Sequence, residues 1–266
     1  MTPPVNSEKE RLLRFDTTTN KIVQSEDSSF TAFSVNFNEH YHSTKDGALH
    51  ESLQKHVLPA LTLLSDKEEL TILDICYGLG FNTLATLYYL KKHSITKKIR
   101  IFSPELDAEL VASLNTFPYP EEFTFLKPII EAISKNNRYE DENLFIEIFI
   151  GDARAYLRDC KEQFDIVYQD AFSPLANPVL WTREYFSDIA RLIRDDGVVT
   201  TYSIALKTRL ALYENGFSVY LNQGEGFRKA TLASKGVLNG FEKVDMEHKI
   251  KCNPDVLPLG DKDILF

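Results

Sequence analysis

From Leu70 to Tyr202 the chain alternates short, almost wholly apolar runs with longer stretches whose apolar residues recur every three or four positions. Residues 71–76, 99–103, 145–150, 164–169 and 198–202 predict strands; residues 83–92 and 183–194 predict helices. A strand buried on both faces has no polar side to show. Runs of this kind separated by helices therefore predict a mostly parallel sheet covered on both faces. After Gly216 the pattern changes, and residues 217–222 and 228–234, joined through Gln-Gly-Glu-Gly, predict an antiparallel pair. Residues 121–143 read as a helix-rich excursion between the second and third strands.

Upstream, residues 1–29 are polar, with at most a short hairpin. Phe30, Phe33, Val35 and Phe37 then predict a half-buried strand. Residues 47–64 predict a helix with Leu49, Leu53, His56, Val57 and Leu61 on one face and Pro59 as an internal complication. The segment from Gly240 is polar, contains Pro254 and Pro258, and predicts no element. A parallel sheet finished by an antiparallel hairpin is the pattern of the class I, Rossmann-like methyltransferase fold, here with an N-terminal extension.

Composition changes this picture little. At 266 residues, 43% hydrophobic and 26% charged, the chain suits one α/β domain plus an elaboration. No apolar run approaches the roughly 20 residues that span a bilayer, and the polar start lacks a secretion signal, so a cytoplasmic protein is expected. Three scattered cysteines form neither a disulfide framework nor a zinc ribbon. Cys76 reads as a buried, space-filling thiol at a strand end. The net charge of −9 argues mildly against a polyanionic partner, although local patches decide binding.

The candidate chemistry lies at strand ends. Asp74-Ile-Cys-Tyr-Gly78-Leu-Gly80 falls between a strand and a helix, where glycines allow close backbone approach to a ligand at the helix N-terminus. Asp74 would repel a pyrophosphate but suits the cationic amine of a methionine moiety. Glu105 follows the second strand, where a carboxylate can accept both ribose hydroxyls; Asp107 is a close rival, and one of the two simply starts a helix. Asp152 follows the third strand and can either accept from an adenine amino group or cap the next helix. Asp170 follows the fourth strand and opens the loop Asp-Ala-Phe-Ser-Pro-Leu-Ala-Asn-Pro. A carboxylate there can orient an amine nucleophile and help take its proton. Phe172 can pack on a planar base, and Pro174 and Pro178 stiffen the loop.

These residues resemble the methyltransferase domain of the tRNA 5-methylaminomethyl-2-thiouridine biosynthesis protein (MnmC-like). The resemblance runs from about Phe37 to Ser234. It rests on Glu39-His-Tyr-His-Ser43, Gly47-Ala-Leu-His-Glu-Ser52, the Asp170–Pro178 loop with Trp181-Thr182, Thr201-Tyr-Ser203 with Arg209, and Gly226-Phe-Arg-Lys229, in that order. It implies transfer of a methyl group from S-adenosyl-L-methionine to the aminomethyl nitrogen of a modified wobble uridine in tRNA. It further implies a single-activity form without the oxidase domain. The expected organisation is an N-terminal extension over 1–65, a methyltransferase domain over 66–236 and a tail over 237–266.

By motif position Asp74, Gly78, Gly80, Asn82, Glu105, Asp152 and Ala153 are candidate cofactor contacts, with Tyr41, Ser43 and Glu51 closing over the same ligand. Asp170 is the candidate active-site acid. Phe172, Pro174, Asn177, Arg209, Arg228 and Lys229 are candidate substrate contacts, the cations (with Lys207) serving phosphates. Cys76 stands where the family has a small, glycine-like residue. His40, His42, His50 and His56 lack the spacing of a metal site, and no metal is expected. Rival readings are aminopropyl transfer to a polyamine, methylation of a small amine, and a non-catalytic tRNA-binding module that has kept the fold. The first lacks its Gly-Gly-Gly-x-Gly turn.

Overall fold

The computed structural model describes residues 14–264. Residues 1–13, read above as a polar start without a secretion signal, lie outside the described residues. The hairpin pairs β1 (Asn20–Gln24) with β2 (Phe30–Ser34), and β3 (Glu39–His40) adds to β2 to complete a small antiparallel sheet. The strand expected over 30–37 stops at Ser34, where the chain enters a turn with Asn38 at a left-handed φ of 54°.

The helix expected over 47–64 forms as α1 (Ala48–Ser52), a π turn (Leu53–Val57) and α2 (Leu58–Leu63). Pro59 accounts for the irregularity, since it cannot donate the next backbone hydrogen bond. The Leu58 N–H reaches back five residues to the Leu53 carbonyl. The next such acceptor, the Gln54 carbonyl, takes the side-chain amide of Asn222 at 2.9 Å instead.

The main sheet is built from β4 (Glu69–Ile75), α3 (Phe81–Lys92), β5 (Lys98–Glu105), α4 (Ala108–Ser113), α5 (Lys127–Asn136), β6 (Arg138–Glu140), β7 (Leu144–Ile150), α6 (Ala153–Asp159), β8 (Phe164–Gln169), α7 (Arg183–Leu192), β9 (Ile193–Thr201), α8 (Leu206–Glu214), β10 (Ser218–Asn222), β11 (Ala230–Ser234), β12 (Glu242–Lys243) and α9 (Met246–Cys252). The strand order is β12-β10-β11-β9-β8-β4-β5-β7-β6. β4, β5, β7, β8 and β9 run parallel, while β10 and β11 form the expected antiparallel pair. From β4 the chain builds outward through β5 and β7, then returns to lay β8 on the other side of β4. That reversal opens a crevice at the carboxyl ends of β4 and β8, where ligands of open α/β sheets bind.

Alternation along β4 explains its unbroken apolar run. Leu70 and Ile72 face one core with Leu84, Ile101 and Ile146, while Leu73 and Ile75 face the other with Val167, Phe186 and Ile189. Cys76 departs from the strand expected over 71–76. It adopts a left-handed φ of 63° and begins the turn, partly buried and packed against the core that holds Leu73 and Ile75. The helix expected over 183–194 ends at Leu192, and the strand expected from 198 starts at Ile193.

The C-terminal segment is ordered where none was expected. Met246 of α9 is buried, and Asp261 receives both guanidinium nitrogens of Arg154 at 2.7 and 2.6 Å. The Leu259 carbonyl accepts from the backbone of Arg183. These contacts fasten the segment across the starts of α6 and α7. No helix among the described residues is long and apolar enough to cross a membrane.

Candidate active site

A cavity of about 670 Å³ opens at the carboxyl ends of β4, β5, β7 and β8, with the N-terminal sheet as its far wall. Tyr41, Ser43, Glu51, Gly78, Glu105, Asp152, Ala153, Asp170, Phe172 and Asn177 line it, so ten separately proposed positions converge on one space. Asp74, Gly80, Asn82, Pro174, Arg209, Arg228 and Lys229 are not among its lining residues.

The turn after β4 shapes the floor. Gly78 has a φ of 54°, and a Cβ there would stand 3.1 Å from the Tyr41 ring; at Gly80, with φ 74°, it would stand 2.7 Å from the Tyr77 ring. Both positions therefore need glycine for conformation and for space. The Gly78 N–H donates to Glu105 at 2.8 Å, and the other Glu105 oxygen accepts from the Asp107 backbone at 2.9 Å. Glu105 thus braces two neighbouring backbone segments while lining the cavity. Burial pushes its carboxyl above the ordinary value. Asp107 instead caps α4 through the Leu110 N–H at 2.8 Å. Asp152 does two things at once, capping α6 through the Ala155 N–H at 2.7 Å and lining the cavity.

Asp74 lies one layer below, 1% exposed, accepting from the Thr83 hydroxyl at 2.8 Å and the Asn82 amide at 3.4 Å. Burial raises its carboxyl to about 7. The folded protein therefore keeps a proton on Asp74 at pH values where the unfolded chain has lost it. Stability is greatest below the ordinary value and falls as pH rises toward about 7, by at most a few kcal/mol at about 1.4 per pKa unit. The melting temperature of the wild type is expected to fall across this window more steeply than that of Asp74→Asn. Parallel melting curves by circular dichroism for the two proteins would remove Asp74 as the source.

Asp170 sits at the centre. One oxygen accepts from the Asn82 amide at 2.9 Å, and the other lies 3.4 Å from His56 Nε2. Burial alone would raise its carboxyl, but His56, His42 and Asn82 more than offset this, and it lies below the ordinary value. Asn82 therefore serves Asp170 and Asp74. The Phe172 ring stacks on Phe37 at 4.6 Å and meets Tyr41 at 4.9 Å, which gives the cavity an aromatic wall. The loop is held from several sides. Glu39 accepts from the backbone and hydroxyl of Ser173, Trp181 donates to the Phe172 carbonyl at 2.7 Å, and Tyr202 donates to the Ala171 carbonyl at 3.0 Å.

The four upstream histidines are shared among different partners: His40 packs on Phe33, His42 meets Thr31, His50 meets the Gly226 carbonyl and His56 meets Thr200. Sequence reading passed over Glu39, Tyr202 and Thr200. The first two lie in the stretches that carry the resemblance, but Thr200 has no signal, being one more β-branched residue in a buried strand.

A chain from Aquifex aeolicus, solved as MNMC2, superposes with a TM-score of 0.80 at 30% identity, covering 91% of this chain and 79% of that one. The chain belongs to the MnmC-like S-adenosyl-L-methionine-dependent methyltransferases. A family model for S-adenosyl-L-methionine-dependent methyltransferases matches residues 122–236. An uncharacterised protein of Methanocaldococcus jannaschii is 30% identical over 263 residues, 96% of this chain and 71% of its own length. The tRNA 5-methylaminomethyl-2-thiouridine biosynthesis bifunctional protein MnmC of Azoarcus sp. (strain BH72) is 28% identical over 218 residues. This methyltransferase spans 77% of itself but only 34% of that bifunctional relative in the match.

The fold of this methyltransferase is class I and its cofactor is S-adenosyl-L-methionine. The chemistry of the cavity fits that cofactor. Glu39, Glu51, Glu105, Asp107, Glu109, Asp152 and Asp170 line it, while no lysine or arginine among the described residues does. Such a surface favours a sulfonium and an ammonium over a phosphate.

Proposed function

We propose that this methyltransferase methylates the aminomethyl nitrogen of a modified wobble uridine in tRNA, converting a 5-aminomethyl-2-thiouridine to its 5-methylaminomethyl form. The observation that carries the reading is Asp170, whose side chain is 13% exposed and whose carboxyl lies below its ordinary value in a cavity ringed by acids. When bound, the cofactor supplies an electrophilic methyl group on a sulfonium. Asp170 accepts an N–H of the incoming amine and turns the nitrogen lone pair toward that methyl. It remains anionic at neutral pH and stabilises the ammonium that forms as the new C–N bond closes and the methyl–sulfur bond breaks, its electron pair leaving with sulfur as a thioether. Asp152 and Glu105 suit the adenine amino group and the ribose hydroxyls, and Phe37, Tyr41 and Phe172 exclude water.

The similarity to bifunctional proteins of tRNA 5-methylaminomethyl-2-thiouridine biosynthesis supports tRNA as the carrier of the amine. So does a set of cations outside the cavity. Arg209 is 9% exposed, donates from Nε to Thr231 at 3.1 Å and leaves its Nη2 without a partner. Lys207, Arg228 and Lys229 are exposed, and none of the four forms an ion pair among the described residues. The three exposed cations suit the phosphates flanking the base, with Pro174 and Asn177 on the loop beside it, whereas Arg209, expected among the substrate contacts, has its Nη2 buried. Acting on tRNA, the enzyme is expected in the cytoplasm.

Tritiated methyl transfer from S-adenosyl-L-methionine tests the reading, using tRNA from a strain that lacks this modification step. Label is expected in a single wobble nucleoside after digestion. The acid-lined cavity would also suit a polyamine, so spermidine and small amines are assayed beside the tRNA. Transfer to those and not to tRNA overturns the substrate assignment.

A further inference from the structure

A buried histidine reaches the active-site acid from behind. His56 is fully buried within the π turn, its Nδ1 2.7 Å from the Thr200 hydroxyl of β9 and its Nε2 3.4 Å from Asp170. No hydrogen-bond partner of good geometry satisfies Nε2 among the described residues. A buried ring nitrogen left in this way, aimed at a carboxylate, calls for an explanation.

We propose that Thr200 and His56 form a relay that orients Asp170 for methyl transfer, His56 acting as a positioning residue. An ionised carboxylate only accepts, so the contact with Asp170 is attractive when Nε2 carries the proton. Nδ1 then accepts, and the Thr200 hydroxyl donates to it. Thr200 thereby selects the tautomer, as a carboxylate does for the histidine of a hydrolytic triad. Asn82 holds the second Asp170 oxygen from α3, so each oxygen has one N–H behind it. The lone pairs left over face the cavity, where an amine would arrive. The 3.4 Å separation shortens when substrate draws the carboxylate into line, as catalytic hydrogen bonds commonly do.

The π turn is what makes the contact available. It carries Lys55 and His56 inward together, and Lys55 is satisfied separately by Glu51 at 2.5 Å and Asp46 at 3.4 Å. The relay rests on the methyl-transfer reading for its effect on turnover. Its geometry is independent of which amine is the substrate.

Two measurements separate those dependencies. In the tRNA assay, His56→Leu is expected to lower kcat about 10- to 100-fold, with the dissociation constant for S-adenosyl-L-methionine, read by calorimetry, within about threefold of wild type. His56→Gln, which can return an N–H toward Asp170, is expected to recover a substantial part of kcat, and Thr200→Val to lose less than His56→Leu. Leucine and glutamine variants of equal melting temperature and equal kcat would overturn the positioning role. If the wild type methylates no tRNA, the second measurement still decides the geometry. The imidazole nitrogen-15 spectrum of the wild type is expected to show the His56 proton on Nε2 only, with a shift that moves in Asp170→Asn. A proton on Nδ1, or shifts indifferent to Asp170→Asn, would overturn the relay whatever the substrate proves to be.

Discussion

Asp170→Asn is expected to lower kcat for methyl transfer by two to three orders of magnitude, a barrier increase of about 2.7–4 kcal/mol. The geometry explains why an isosteric amide fails. Asn82 and His56 approach the two oxygens of Asp170 from different sides. An amide must turn an NH2 toward one of them, which sets two donors against each other. It also loses the negative charge that meets the ammonium formed in the reaction. Binding of S-adenosyl-L-methionine, followed by calorimetry, is expected to change by less than about threefold, because Glu105 and Asp152 are untouched. Retention of more than a tenth of wild-type kcat would remove Asp170 from the centre of the mechanism.

The second large effect is expected at Glu105. Replacing it by alanine leaves the N–H groups of Gly78 and Asp107 without their acceptors, at about 1–3 kcal/mol for each buried donor left unpaired. The loss falls on the turn that forms the cavity floor. Affinity for S-adenosyl-L-methionine is therefore expected to weaken at least 10- to 100-fold in Glu105→Ala. Asp107→Ala provides the contrast. Its side chain is engaged in capping α4, and loss of a cap costs about 1 kcal/mol of stability with cofactor affinity within about threefold. The reverse ranking would make Asp107 the ribose ligand.

The parts of the fold that could be read in the sequence are those where burial alone fixes the residue type. β4, β5, β7, β8 and β9 have apolar runs because both faces are covered, and the strand-end acids stand out against them. The parts that could not be read depend on partners distant in the chain. No local pattern reveals that Asp261 pairs with Arg154, so a polar segment that folds back looked structureless. Cys76 looked like a core thiol because its neighbours are apolar. Its left-handed backbone, where glycine is the easier choice, is set by the turn that follows. Asp74 was expected to hold a methionine amine, directly or through water. Its oxygens are engaged by Thr83 and Asn82, and the cavity begins above them. The sequence places His56 on the apolar face of its helix but gives it no role, because Thr200, its hydrogen-bond partner, lies 144 positions away.

The π turn has a further consequence for how this sequence can change by insertion and deletion. Such a turn is what an α-helix becomes on taking in one residue. A π turn and an α turn one residue shorter sweep nearly the same angle, so the extra residue bulges locally and the halves on either side keep their phase. Deleting one residue between Leu53 and Val57 would therefore restore regular winding while Glu51, which lines the cavity and accepts from the Ser43 backbone at 2.6 Å, kept its side of the helix. Val57, Ala60 and Leu61 would stay seated in the core. What would go is the bulge, which carries Lys55 and His56 inward. A deletion here would cost the enzyme its inward-facing histidine before it cost the protein its fold.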